Sequence, residues 1–309
     1  MLFTRFKQTA EKYYNRPALN GILYNELLEI VEEGAYNPVA DCGTARTIID
    51  ILIASKNGKP IIVPPLVKDN WEPAETQDGF GLYLYTSGTT GGTRRAVKLT
   101  DTMIVANADN SIALHNMTPY DIVYTVCSMR HTGGINAQTI AALLCGAHVV
   151  VEAFNPYKFF VRCSDLGATI SHLTPRMIDA LIGVKNQTKT RLSVITCGSD
   201  CVSRHHVEYI TGMNIDFILN YGLTQGGPIL INHRFTAASD LSIFDKSGVP
   251  LGTIAWCEIL FIGANMYIKG PAVSGDEWLI TGDCVYRHED WYIYRGRLVD
   301  GTCKIIPKA

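Results

Sequence analysis

The chain of 309 residues has no CxxC pair, and no histidine stands at a zinc-finger spacing from any of its nine cysteines, which argues against a zinc site. Its net charge is −2 and only 18% of its residues are charged, so nothing in its charge suggests a basic surface for nucleic acid or an anionic membrane. The opening stretch, MLFTRFKQTAEKYYNRPALN, lacks the apolar segment of a secretory signal. The most apolar run, Ile135 to Phe154, is interrupted by Asn136, Gln138, His148 and Glu152, so it reads as core and not as a membrane span. Internal repeats are absent. What is present is a hydrophobic content of 47%, enough for one large domain or two ordinary ones. The scattered, odd-numbered cysteines fit free thiols in a reducing cytoplasm.

Strand-like and helix-like segments alternate through the middle of the chain. Strands are expected at Asp121–Val126, His148–Ala153, Ala168–Leu173, Leu192–Cys197 and Asp216–Tyr221. Helices are expected at Gly134–Cys145 with Gly146 as stop, from Asn155-Pro156 through Asp165, from Thr174-Pro175 through Ile182, and from Ser203 through Ile210. Earlier come helix candidates at Tyr24–Glu33 and Ala45–Ser55 and a strand at Pro60–Val63. This spacing predicts an α/β fold of βαβ units around a largely parallel sheet, with ligands at the carboxyl ends of its strands. After Ser242 the runs shorten: Ile254–Gly263, Asn265–Ile268, Glu277–Ile280 and Trp291–Tyr294. A smaller β-rich subdomain is expected there. The division is therefore residues 1–241 as core, 242–300 as β-rich subdomain, and 301–309 as a short remainder.

Between the strand-like GLYLYT and AVKLT lies TSGTTGGTRR. It is not a Walker A loop: Thr93 stands five residues after Gly88, and the loop holds no lysine. A plain linker is a poor alternative between two β-forming runs of one domain. A hairpin-like phosphate loop fits better. Gly88, Gly91 and Gly92 let backbone N–H groups turn inward, Thr86, Ser87, Thr89 and Thr90 supply hydroxyl donors, and Arg94 and Arg95 add positive charge.

The stretch YTSGTTGGTRRAVKLT resembles the signature TSG[ST]TGxPK of the adenylate-forming superfamily, which includes acyl-CoA synthetases and other AMP-binding enzymes. Further segments resemble that family in the family's order: MRHTGG (Met129–Gly134), LLCGAHVVVEAFNP, TCGSD (Thr196–Asp200), NYGLTQ (Asn220–Gln225), WLITGD (Trp278–Asp283) and YRGR (Tyr294–Arg297). Taken singly, Asp283 reads as a turn residue, Tyr221 as core, His131 as structural and Arg297 as a solvated charge; their joint order lifts them above those readings. The resemblance spans about Ile22 to Asp300. It implies the large domain of acyl-CoA synthetases and attack of a small-molecule carboxylate on the α-phosphate of ATP, giving an acyl-AMP. ATP or AMP and Mg²⁺ are the implied cofactors, with CoA as a second substrate. The loop from Thr86 to Gly92 would hold the β- and γ-phosphates. Tyr221, between Asn220 and Gly222, would offer a ring face to adenine, and Gly198 and Ser199 would let backbone approach the base. Asp283 would accept the ribose hydroxyls, and Arg297 would contact ribose or phosphate. Arg95, Thr224 and His131 form the implied catalytic set, with His131, Gly133 and Gly134 bordering the acid.

The chain departs from the pattern in three places. Gln225 stands where the family carries a magnesium-binding Glu, and a neutral amide is a weaker ligand for this cation. Thr93-Arg94-Arg95 replaces the family's Pro-Lys, so charge is kept with different geometry. The sequence ends at Ala309, where the family continues into a small C-terminal domain bearing a further lysine. These departures leave open a separate C-terminal-domain partner, a carrier protein or other acceptor, or a non-catalytic module that senses AMP, ATP or acyl-adenylate.

Overall fold

The structure, a computed structural model, describes residues 1–41, 43–65, 74–86, 94–184, 188–273, 275–299 and 302–304, with backbone alone at 275, 276, 299 and 302–304. The N-terminal part holds α1 (Leu2–Lys12), β1 (Pro17–Leu19), β2 (Ile22–Leu23), α2 (Tyr24–Glu33), α3 (Arg46–Lys56), β3 (Pro60–Ile62), β4 (Gly81–Tyr85) and β5 (Ala96–Leu99). It continues with α4 (Asp101–His115), β6 (Ile122–Thr125) and α5 (Thr132–Gly134). A π-helical turn at Ile135–Ile140 leads on into α6 (Ala141–Cys145). Then come β7 (His148–Val151), α7 (Phe159–Leu166), β8 (Ile170–Leu173), α8 (Pro175–Val184), β9 (Val194–Cys197), α9 (Arg204–Thr211), β10 (Asp216–Leu223) and β11 (Gly227–Phe235). The last part is β12 (Val249–Gly252), β13 (Ile254–Ala255), β14 (Glu258–Ile262), β15 (Asn265–Gly270), β16 (Gly275–His288), β17 (Trp291–Val299) and β18 (Thr302–Lys304).

A nine-stranded sheet of order β13-β11-β10-β9-β8-β6-β7-β1-β2 organises the molecule. Its middle, β10 to β1 in that order, is parallel throughout, as the alternation of helices and strands predicts. Side chains of these strands alternate between two cores. Val123 and Val149 pack with α1–α4 and the π turn, whereas Tyr124 and Val150 pack with Phe159, Phe160 and Ile178 on the other face. A three-stranded sheet β3-β4-β5 and a six-stranded antiparallel sheet, β12-β17-β16-β15-β14 with β18 on β17, complete the layers. After β12 the chain returns to the large sheet through β13, so the two sheets are stitched together rather than merely adjacent.

Several expectations need adjustment. Helix α7 begins at Phe159, not at Asn155. Asn155 instead closes a preceding turn, its Oδ1 accepting from Tyr157 N at 3.0 Å and its carbonyl from Lys158 N at 3.1 Å. The run Glu277–Ile280 is part of a strand of 14 residues. Helix α4 was not expected, because Asn107, Ser111 and His115 occupy its buried face and break the apolar period. Gly146 does stop its helix, in the left-handed region at φ 91°. Among the described residues six cysteines are free, but Cys284 is disulfide-bonded, so the reading of nine free thiols does not hold. Among the described residues no helix is long and apolar enough to cross a membrane.

Candidate active site

The carboxyl ends of β9 and β10 open into a cleft whose far wall comes from the six-stranded sheet. Ser199, Asn220, Tyr221 and Gly222 face Leu251 and Tyr294 across about 380 Å³ of space, its open mouth included. Two glycines make the near wall thin. A Cβ on Gly198 would sit 2.4 Å from the carbonyl oxygen of Asn220, and one on Gly222 would sit 2.2 Å from that of Pro228. Gly198 therefore serves strand packing first, which adds to its expected role beside the base. Ser199 holds φ 77°, a left-handed conformation that a non-glycine residue adopts at a cost and that recurs at functional sites. Asn220 donates from Nδ2 to the Pro228 carbonyl at 2.7 Å, while its buried Oδ1 has no partner and stands on the cleft wall.

The TGD segment turns sharply inside β16. Thr281 Oγ1 donates to the Met266 carbonyl at 2.7 Å and accepts from Asp283 N at 3.0 Å, while Gly282 at φ 72° supplies the left-handed step. This turn drives the Asp283 side chain inward, where it is fully buried. Tyr221 donates its hydroxyl to Asp283 Oδ2 at 2.6 Å. Burial, and then the Asp283 charge, raise the Tyr221 phenol far above its ordinary range and keep that proton in place. Arg297 brings Nε to 3.4 Å from Asp283 Oδ1 and donates from Nη2 to the Thr281 carbonyl at 3.3 Å. The Nε contact is ionic but poorly aligned, so Oδ1 keeps no hydrogen bond. Tyr221 thus already holds one of the two Asp283 oxygens.

The expected phosphate loop falls mostly outside the described residues: Ser87, Gly88, Thr89, Thr90, Gly91 and Gly92 are not among them. Its two ends are. Strands β4 and β5 form the predicted hairpin, and Thr86 N donates to the Arg95 carbonyl at 3.0 Å. Arg95 N reaches Thr86 Oγ1 at 3.3 Å, and Arg94 Nη1 reaches the Thr86 carbonyl at 3.3 Å. The side chain of Arg95 is exposed. Thr224 and Gln225 lie half-buried in the turn between β10 and β11, and their side chains make no hydrogen bond among the described residues. No group of three or more His, Cys, Asp or Glu able to hold a metal forms among the described residues. His131 is exposed at the start of α5, its N–H on the Ser128 carbonyl at 3.3 Å. Gly134 lets that helix start close to the preceding loop, since a Cβ there would lie 2.5 Å from Ser128 O. Gly133 meets nothing within 4 Å.

A cleft at the carboxyl ends of parallel strands, whose wall residue Tyr221 bonds a buried carboxylate, in a chain that also carries a Thr/Ser/Gly segment, is the setting in which the family description "AMP-binding enzyme" matches residues 28–276. The chain belongs to that family. Among curated relatives it is 29% identical to an indoleacetate–CoA ligase of Aromatoleum aromaticum over 72% of this chain and 48% of the relative. The chain spans about half the length of the curated relatives it matches. Among solved structures, an o-succinylbenzoate-CoA synthetase (MenE) from Bacillus subtilis superposes with a TM-score of 0.77 at 16% identity, covering 96% of this chain and 81% of that one. The N-terminal domain of FACL13 from Mycobacterium tuberculosis superposes with a TM-score of 0.80 at 11% identity, covering 96% and 99%. At these identities the likeness establishes the fold of the large domain shared by adenylate-forming enzymes.

The family match ends at residue 276, yet Asp283 lies beyond it and still meets Tyr221, and Arg297 in turn meets Asp283. Two residues of the site escaped sequence reasoning. Thr281 organises the turn that buries Asp283, and its signal was the first letter of TGD. Tyr294 lines the cleft opposite Ser199, and burial raises its phenol to about 12. Its signal was its place at the head of YRGR.

Proposed function

We propose that the protein activates a carboxylate with ATP. A carboxylate oxygen attacks the α-phosphorus, the bond to the β,γ-phosphate unit breaks, pyrophosphate leaves, and an acyl-adenylate forms. A nucleophile, of which the thiol of CoA is the first candidate, then attacks the acyl carbon and AMP leaves. One observation carries the nucleotide assignment. Asp283 Oδ1 is a fully buried carboxylate oxygen without a hydrogen bond, while Oδ2 is held by Tyr221, and Arg297 Nε stands 3.4 Å from Oδ1. A ribose hydroxyl is the donor it lacks. Asn220 Oδ1, also buried and without a donor, suits the exocyclic amine of adenine. Tyr221, Leu251 and Tyr294 on the cleft walls would offer apolar surface to the flat base.

Two anions must meet in this reaction, so prearranged donors and cations determine the rate. The segment Ser87–Gly92 would hold the outer phosphates, with Thr86 and Arg94 fixing its base. Arg95 would neutralise charge near the α-phosphate, Thr224 would donate to it, and His131 would border the acid. The Bacillus subtilis relative was solved with ATP and magnesium. In this chain Mg²⁺ would lie near Gln225, whose amide binds it more weakly than a carboxylate, and the ion would offset phosphate charge when bound. In the same reading, residues up to 241 carry the acid and phosphate contacts and residues 242–300 the ribose contacts. A partner domain on a separate polypeptide could complete the second step.

The test is ATP–pyrophosphate exchange with pools of fatty, aryl and amino acids. Exchange above background with one pool is expected. ATP binding with no exchange from any pool overturns the adenylation reading and leaves a nucleotide sensor.

A further inference from the structure

Gln138 lies in the π-helical turn Ile135–Ile140 and is 1% exposed, yet neither its Oε1 nor its Nε2 has a nitrogen or oxygen hydrogen-bond partner. The same is true of Thr125 Oγ1 at the end of β6 and of His172 Nδ1 in β8. These groups are neighbours. Thr125 and His172 are register partners, the Cys127 thiol donates to the His172 carbonyl at 3.2 Å, and the Gln138 amide lies against that thiol, a weak acceptor. By contrast, the adjoining His115 is fully satisfied. Its Nδ1 donates to the Ser111 carbonyl at 2.7 Å, and its Nε2 accepts from Thr196 Oγ1 at 2.6 Å.

Buried polar side chains are nearly always hydrogen-bonded, and each one that is not costs about 1–3 kcal/mol. Packing alone gives no reason for three of them to converge. Their location does. Thr125 and His172 sit at the carboxyl ends of parallel strands, where such sheets receive ligands, and Gln138 reaches them from the π turn through Cys127. His172 pairs with Thr196, and that strand runs directly on to Gly198 and Ser199 at the cleft. A π turn within a helix is itself enriched at functional sites. The wall these groups form is uncharged, since burial and the nearby His115 pull the His172 imidazole down to about 3. Gln138 Nε2 and the Thr125 hydroxyl can donate, and Gln138 Oε1 can accept. A single internal water would use only part of this set.

We infer that the acid this protein takes carries, beyond its carboxylate, an uncharged hydrogen-bonding group (a hydroxyl, carbonyl or amide) received by Gln138 and Thr125. The inference rests on the adenylation reading for the presence of an acid, but its test does not depend on catalysis. The full chain is titrated calorimetrically with matched acids: lactate against propanoate, levulinate against pentanoate, and hydroxybenzoate against benzoate. The polar member of at least one pair should bind about tenfold tighter, a difference of about 1.4 kcal/mol. Gln138→Leu should abolish that preference, and Thr125→Val, which keeps the side-chain shape, should weaken it. Equal or tighter binding of the alkyl or unsubstituted member in every pair overturns the inference. So does a preference that survives both substitutions, which would leave only an internal water beside Gln138, and so does the absence of binding by any acid. Pyrophosphate exchange on the same samples separates the two claims. Exchange with apolar acids alone would keep adenylation and remove this inference, whereas polar-selective binding without exchange would do the reverse.

Discussion

Asp283 carries two oxygens with different surroundings, and that difference makes the ribose assignment testable. Oδ2 receives the Tyr221 hydroxyl, while Oδ1 waits for a donor. Asp283→Ala removes the acceptor shared by AMP and ATP, so both should weaken by the same factor. Hydrogen bonds to charged groups contribute about 1.5–3 kcal/mol, which corresponds to roughly 10- to 150-fold. Tyr221→Phe deletes only the competing donor, leaves both oxygens for ribose, and should hold AMP affinity within about threefold. Calorimetric titration of the two variants decides. Undiminished nucleotide binding in Asp283→Ala would remove Asp283 from the site. Individual residues of this cluster were legible as motif letters, but their bonding was not. Tyr221 and Asp283 are 62 positions apart, and no local rule says which donor a buried carboxylate will find. The same limit hid Gln138, which in the sequence merely interrupts an apolar run.

Elements were readable where one physical signal dominated. The parallel strands showed as β-branched runs, and Ser203 marked the start of α9. They were hidden where polar groups sit inside. Buried Asn107, Ser111 and His115 disguised α4, and the antiparallel hairpin partner β11 follows a turn whose glycines resemble any loop. Those glycines also give the hairpin its own prediction. A Cβ at Gly222 would overlap the Pro228 backbone, 2.2 Å from O and 2.6 Å from Cα, so Gly222→Ala must part β10 from β11. A loss of about 1–3 kcal/mol is expected by analogy with overpacked cores. Gly133, inside a helix with nothing within 4 Å, supplies the control. Gly133→Ala should be neutral or gain about 0.5–1 kcal/mol. Urea midpoints of both variants test the pair, and a neutral Gly222→Ala would show that the two strands do not approach as closely as described.

At the scale of the whole molecule, the large sheet depends on histidines that must stay neutral. His115 ties α4 to β9, and His172 sits in β8 between them and β6. Burial lowers His115 to about 4, outweighing the Ser111 carbonyl, which favours the proton, with smaller and opposed effects from Arg234 and Asp121. Burial likewise lowers His172 to about 3. His148 and His233 are lowered too, again by burial. Unfolded histidines titrate near 6.5, so below that pH the unfolded chain binds protons that the folded chain refuses. The contribution is therefore fully present above about 6.5 and is lost as pH falls toward about 4 for His115 and about 3 for His172. At pH 5 each fully buried histidine should cost about 2 kcal/mol relative to neutral pH. Urea denaturation between pH 7 and 5 should show stability falling steadily, and His115→Gln should flatten that slope while leaving its sign unchanged. Stability that is level or rises over this interval would mean that these imidazoles accept protons in place.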